Sequence, residues 1–505
     1  MEVLSLIPTH LPSDKDLFHA SFACRRWRKT FIQHAALWSQ LDLTIERSGL
    51  SVKTLLDRAK ASALDIKSSR LKRVDILGML PPRAQQLRSL EFVHDCWPYI
   101  QIFSEAAPGP LPLLHTLKLD MVELETPFET MDFEVMRPIL SPFFIGAVNL
   151  KNFVLHTKGE ALLNHFIFPN LKTFELSVTR FWDPFPFSDL LDFFRASPTL
   201  ETIRMRIMTD TFLGDIPPER VVVLPNVETF SVTQDEPYHR IAAHISCPSA
   251  RPMSFVYEQG IGYEMPQEIF PTSDLWNVMG PQYMANTIDE VTLGIKTAGD
   301  HILFCSLSFL SSGLTTLELG YEVVAIDEHQ HESPASLGQM HSRVFSQAFE
   351  AVRAHPLLGG VKRLRIQDSH AYLASHHLTS IVKEAGLLFE SMGTLEELIL
   401  DVDNLRPFIF PFFNPPGLLR VLLQPYTFPS IKGLTVVEHS DRPFDRESVA
   451  AIVGFVKSQH VRGIPFEHAV FHMEFPPVGM AERLEQWVGA VRFSGTTLGG
   501  DQGPT

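Results

Sequence analysis

The sequence predicts an α/β chain in which short parallel strands with return helices stack as an irregular solenoid behind a short helical module. Three observations carry this expectation. A pattern of one apolar residue, two variable positions, a second apolar residue, one variable position and a third apolar residue recurs in ten copies. The copies are mostly 21 to 36 residues apart, which leaves room for a return helix between strands. Ahead of the copies, Leu17, Ala20, Cys24, Trp27 and Phe31 recur at helical steps of three and four.

The N-terminal stretch Glu2 to Leu43 reads as a short helix, a Pro-Ser-Asp turn and a second helical region. Ser13 and Asp16 form a capping-box signature, because a short oxygen-bearing side chain accepts from the free N–H groups that open a helix. From a start near Asp14, Leu17, Ala20, Cys24, Trp27 and Phe31 fall on one apolar face. Arg25, Arg26, Arg28 and Lys29 fill the other sides. The next segment, Leu50 to Ile66, reads as an amphipathic helix running into a strand.

The strand pattern begins at Leu87-Leu90-Phe92 and Leu114-Leu117-Leu119. It continues at Leu150-Phe153-Leu155, Leu171-Phe174-Leu176, Leu200-Ile203-Met205 and Val227-Phe230-Val232. Ile288-Val291-Leu293, Leu314-Leu317-Leu319, Leu395-Leu398-Leu400 and Ile431-Leu434-Val436 complete the set. Weaker copies are Val361-Leu364-Ile366, Met253 with Phe255, and Phe466 with Phe471. The second and third apolar residues, two apart, share one side of a strand, and the first tucks in as the chain approaches it.

Ser188 to Ala196, His341 to His355, Leu378 to Met392 and Asp445 to Gln459 are the expected helices between copies. Pro169-Asn170-Leu171, Pro198-Thr199-Leu200 and Pro225-Asn226-Val227 repeat one punctuation ahead of the strands. The repeat signal thins between 234 and 287, and 325–340 is polar enough for a surface loop. The Gly-rich tail 494–505 lacks apolar anchors and is expected to be disordered. The organisation is therefore 1–45 helical module, 46–70 linking helix, 71–493 repeats and 494–505 tail. The alternative is a set of unrelated buried strands in an α/β domain.

The string Asp16-Leu17, Ser21, Cys24-Arg25-Arg26-Trp27-Arg28 and Leu37-Trp38, with Glu2-Val3-Leu4, Ile7 and Leu11-Pro12 ahead of it, resembles the F-box, most closely that of mushroom-forming fungi. The repeats resemble the irregular leucine-rich repeats found behind an F-box, although they lack the regular Asn of that consensus. The resemblance implies a substrate receptor of a cullin-RING (SCF-type) ubiquitin ligase, docking on the Skp adaptor and holding a protein target. It also implies that Leu4, Ile7, Leu11, Leu17, Cys24, Trp27 and Trp38 form the module's core or meet the adaptor.

The chain departs from the family at two points. No Leu-Pro pair precedes Glu2, and Pro8 stands where the family carries a helix-compatible apolar residue. A proline inside a helix costs about 3 kcal/mol. These departures favour the alternative function, a repeat-based interaction scaffold with a vestigial F-box outside ubiquitination.

If the repeats form a curved sheet, side chains alternating with the buried ones face its concave surface. The candidate target-reading residues are Lys118, Asp120, Val154, His156, Glu175, Ser177, Arg204, Arg206, Ser231, Thr233, Glu318, Arg365 and Asp401.

Composition limits the other classes. A formal net charge of -15 disfavours nucleic-acid binding. Four separated cysteines, Cys24, Cys96, Cys247 and Cys305, give neither a zinc site nor a disulfide framework and suit a reducing compartment, cytoplasm or nucleus. Glu2, Pro8 and Asp14 break a signal-peptide pattern, and Pro407 to Leu423 is interrupted by four prolines, Asn414 and Arg420, so no membrane span is expected.

No cofactor, metal or catalysis is expected. Asp327, Glu328, His329, His331 and Glu332 fit an exposed loop better than a metal site, and His370, His376 and His377 lack a nucleophile with an orienting acid. Glycine-rich phosphate loops and a nucleophile elbow are absent. The basic run Lys67 to Arg73, like Arg25 to Lys29, reads as a solvated face.

Overall fold

The computed structural model describes residues 24–43, 49–69, 79–93, 111–120, 147–157, 167–181, 187–209, 220–234, 239–260, 288–298, 302–324, 346–355, 358–369, 387–388, 390–402, 431–438, 446–473 and 476–494. The chain divides into two units. Met1–Phe230 with Ile245–Ser249 form the first, and Ser231–His244 with Ala250–Thr505 form the second. Both are α/β, built on mostly parallel sheet with few helices among the described residues.

In the first unit, helix α1 (Arg25–Gln33) leads through a 3-10 turn (Ala35–Trp38) into β1 (Gln40–Asp42). Helix α2 (Gly49–Ala59) follows, its Val52, Leu55, Leu56 and Ala59 buried at one-face spacing. Next come β2 (Leu64–Ser69), β3 (Leu87–Val93), β4 (Thr116–Asp120), β5 (Asn152–Thr157), β6 (Thr173–Phe181) and β7 (Thr202–Thr209). Each pairs in parallel with the one before it, beginning with β1 on β2.

The register stacks like on like. Ile66, Leu90, Leu117, Phe153, Phe174 and Ile203 form one buried row. Phe92, Leu119, Leu155, Leu176 and Met205 form a second. A one-residue slip of any strand would turn both rows outward, so burial fixes the register. Helix α3 (Phe187–Ala196) returns the chain from β6 to β7 and buries Phe187, Leu190, Leu191, Phe193 and Phe194. Phe193 meets Phe174 at 4.6 Å between ring centroids, and Phe153 meets Phe168 edge-on at 5.4 Å.

The Pro-Asn punctuation has a structural cause. Ahead of each strand the chain makes a turn closed by an N–H from the pattern's first apolar residue to the carbonyl three residues back. Examples are Leu114 to Leu111, Leu150 to Ala147, Leu171 to Phe168 and Leu200 to Ser197. Proline favours the second position of such a turn because its φ is already set. The residue after it ties one turn to the last: Asn149 donates to the Pro112 carbonyl at 2.8 Å and Asn170 to that of Val148 at 2.9 Å. Thr199, Asn226 and Ser249 bond in the same way to Pro169, Pro198 and Pro225. Beside this ladder, β8 (Val222–Val223) pairs in parallel with β10 (Ile245–Ser246), while β9 (Thr229–Gln234) carries the boundary between the units.

The second unit holds helix α4 (His239–His244) and strands β11 (Met253–Gly260), β12 (Glu290–Ala298), β13 (Ile302–Ser311) and β14 (Leu314–Val324). They are followed by β15 (Arg363–Ser369), β16 (Glu397–Val402), β17 (Gly433–Glu438), helix α5 (Arg446–Val461), β18 (His468–His472), helix α6 (Met480–Leu484) and β19 (Val491–Ser494). From β12 through β15, β16, β17 and β18 to β19 the pairing is parallel and in register. Val291, Leu364, Leu398, Leu434 and Ala469 make one buried row, and Leu293, Ile366, Leu400, Val436 and Phe471 the other. Thr394 repeats the turn bond of the first unit, donating to the Gly359 carbonyl at 2.7 Å.

The parallel expectation fails at one place. β12, β13 and β14 form an antiparallel meander, and β14 then pairs in parallel with β11. Leu314 is the first residue after the Ser312-Gly313 turn, where Ser312 at φ 53° and Gly313 at φ 78° reverse the chain, so it is exposed rather than buried. The three weaker copies are all strands: β11, β15 and β18. Of the expected return helices, the first appears as α3, the last as α5, and parts of the other two as helical residues 346–354, 387–388 and 390–391. The thin stretch 234–287 contains α4, β10 and β11. The loop 325–340 lies outside the described residues; of the tail expected at 494–505, Ser494 ends β19 and 495–505 lie outside the described residues.

Candidate functional site

In the first unit one side of the strands is buried and the other is half-exposed to exposed, whereas in the second the opposite side mixes half-exposed Arg363, Arg365, Asp401 and Thr435 with buried Glu290, Ile399 and Val437; the half-exposed residues are where a partner can touch. In the first unit, one such row runs Lys67, Glu91, Lys118, Val154, Glu175, Arg204, and the next runs Asp120, His156, Ser177, Arg206. Between these rows and the turns lies a third: Ser89, Thr116, Asn152, Thr173 and Thr202, where Asn152 donates to the Thr116 hydroxyl at 3.2 Å.

The parallel register brings three of the expected residues together. His156 places Nε2 3.3 Å from Glu175 Oε1 and Nδ1 3.6 Å from Asp120 Oδ2. Arg204 and Arg206 lie one and two strands away along the rows, both exposed. The face therefore offers side chains of both signs within a few strand spacings, which is suited to a mixed-charge protein surface.

In the second unit Asp401 on β16 stands opposite Gln367 on β15, which donates to its carboxylate at 3.1 Å, and Arg365 reaches it diagonally with Nη1 3.9 Å from Oδ2. Arg363 Nε lies 3.0 Å from Glu290 Oε2, and Thr435 donates to Glu397 at 2.9 Å. Glu290, whose side chain is only 10% exposed, also lies 3.7 Å from Arg365 Nε. Glu318 is elsewhere, opposite Ser308 on β13 and Ser254 on β11. Glu290, Arg363 and Gln367 were not among the expected residues. Glu290 and Arg363 occupy the position just before the second apolar residue of their copies, the same place as Thr116 and Thr173, and that alignment was the available signal.

Of the residues that the F-box resemblance singles out, Leu4, Ile7, Leu11 and Leu17 lie outside the described residues. Cys24 is exposed immediately before α1, and Trp27 lies within α1. Arg25, Arg28, Lys29 and Ile32 of that helix are exposed. Trp38 is different: the residue is 2% exposed, and the Arg58 guanidinium lies 4.6 Å from the ring centroid. Its contacts are internal.

Other titratable groups are buried away from the half-exposed rows. Burial pushes the Cys247 thiol up to about 12 and raises Cys305 further, so neither is a ready thiolate. Burial lowers His355 to about 4, and its ring stacks on Phe309 at 4.8 Å. Among the described residues no cluster of three or more His, Cys, Asp or Glu side chains has the arrangement of a metal site, and no helix is long and apolar enough to cross a membrane.

Compared with protein-family models the chain matches none, and a search of the curated proteins gives no match.

Proposed function

We propose that this chain is the substrate-recognition subunit of an SCF-type ubiquitin ligase. Its N-terminal helical module binds the Skp adaptor, and the half-exposed rows of its repeats hold a protein target. The observation that carries the reading is the order Cys24-Arg25-Arg26-Trp27-Arg28 and Leu37-Trp38, joined directly to in-register parallel strands with one polar side. The repeats would stack as an irregular leucine-rich-repeat solenoid, each unit burying its apolar rows only against its neighbours.

The mechanism is proximity, not chemistry by the receptor itself. Holding a target beside the ligase's catalytic arm raises the effective concentration of its acceptor lysines. No cofactor or metal enters. The receptor works in the cytoplasm, the nucleus or both.

Co-elution of the full chain with purified adaptor on size exclusion tests this reading. A complex lost in a folded Leu17→Ala/Trp27→Ala variant supports it. Pro8, inside the first expected helix, favours the second reading, a scaffold whose vestigial F-box no longer binds the adaptor. Absence of a complex with the wild-type chain would favour that scaffold.

A further inference from the structure

We propose that Trp38 and Arg58 are positioning residues, which seat the turn after α1 on α2 and so fix the direction in which the N-terminal helical segment leaves the parallel sheet. The functional consequence rests on the receptor reading; the geometry does not. The F-box resemblance sets Trp38 among residues of the module's core or docking surface, but the ring is inside the first unit, covered by the guanidinium of Arg58 from the last turn of α2.

The joint has little slack. A single residue, His34, separates α1 from the 3-10 turn, and its carbonyl already accepts the Leu37 N–H at 3.1 Å. The Ser39 hydroxyl donates back to the Ala36 carbonyl at 2.7 Å. The Ser39 carbonyl then accepts the Asp65 N–H at 2.8 Å, and Leu43 N–H donates to Lys67 at 2.7 Å, so both ends of β1 are tied to β2. Hydrogen bonds thus recur from His34 to the sheet, and the Trp38–Arg58 contact lies among them. A receptor acting by proximity needs such a joint, because effective concentration falls when the two ends of a linkage move independently.

The test uses the full chain with Cys96→Ser, spin labels on exposed Cys24 and on Lys67→Cys of β2, and a dipolar distance measurement. Cys247 and Cys305 are buried and stay unlabelled. The parent gives one narrow distance distribution. Arg58→Ala and Trp38→Leu broaden it about twofold, and Trp38→Phe, which keeps a ring under the guanidinium, restores the narrow form. Arg58 is partly exposed, so its variant keeps the fold, as checked by circular dichroism, even where Trp38→Leu does not.

Unchanged width in folded Arg58→Ala overturns the proposal. Adaptor affinity, measured separately, stays within about twofold in Arg58→Ala, because docking uses other residues. A tenfold loss with unchanged width would make the pair a docking site and overturn the positioning role. Failure of the parent to bind adaptor would defeat the receptor reading alone, since the distance measurement needs no adaptor.

Discussion

His355 shows how one buried side chain couples this fold to pH. Burial lowers it to about 4 from an ordinary 6.5, so the folded chain holds the neutral ring while the unfolded chain takes up a proton between those values. Its contribution is therefore complete above pH 6.5 and is lost as pH falls through 4, on the order of 3 kcal/mol in all. Urea unfolding from pH 4 to 7 should show a shallower stability slope for His355→Phe than for wild type. The cysteines divide by exposure in the same way. Native chain should react quickly with a thiol reagent at Cys24 and slowly at Cys247 and Cys305, with all three equal after denaturation, as peptide mapping would show.

Between neighbouring strands, stability comes from two ladders, one apolar and one polar. Phe174→Ala removes a ring that touches Phe153, Phe193 and Phe194, and should cost about 3 to 5 kcal/mol by chemical denaturation. Asn170→Ala removes one turn-to-turn bond and should cost about 1 kcal/mol, with Asn226→Ala adding a similar amount because the two residues do not share a partner. The apolar ladder was legible in sequence, since the spacing that buries Leu117 with Leu119 also buries Phe174 with Leu176 and Leu398 with Leu400. The Pro-Asn punctuation was legible as a repeat, but its bonding was not, because each partner lies 22 to 37 residues away in the preceding turn. The antiparallel strand β13 was missed although Phe304-Leu307-Phe309 carries the pattern's own spacing, and that spacing does not distinguish an antiparallel strand from a parallel one. Pairing direction, moreover, is set by the tight Ser312-Gly313 turn, not by periodicity. The resemblance left Trp38 either in the module's core or at the adaptor, because a sequence shows the order of aromatic residues and not the guanidinium that covers one of them.

For the whole molecule, the proposed function assigns ligase engagement to the N-terminal segment and target engagement to the repeats. The His156 cluster and the Arg365–Asp401 pair belong to different units. Once a target is captured, Glu175→Ala and Asp401→Ala should weaken it without altering adaptor affinity. The central claim is adaptor binding, and calorimetric titration of Skp adaptor into the full chain tests it most directly. The account predicts one-to-one binding at micromolar affinity or tighter, abolished in a folded Leu17→Ala/Trp27→Ala variant. No heat of binding from the wild-type chain, or binding unaffected by that double substitution, would contradict it.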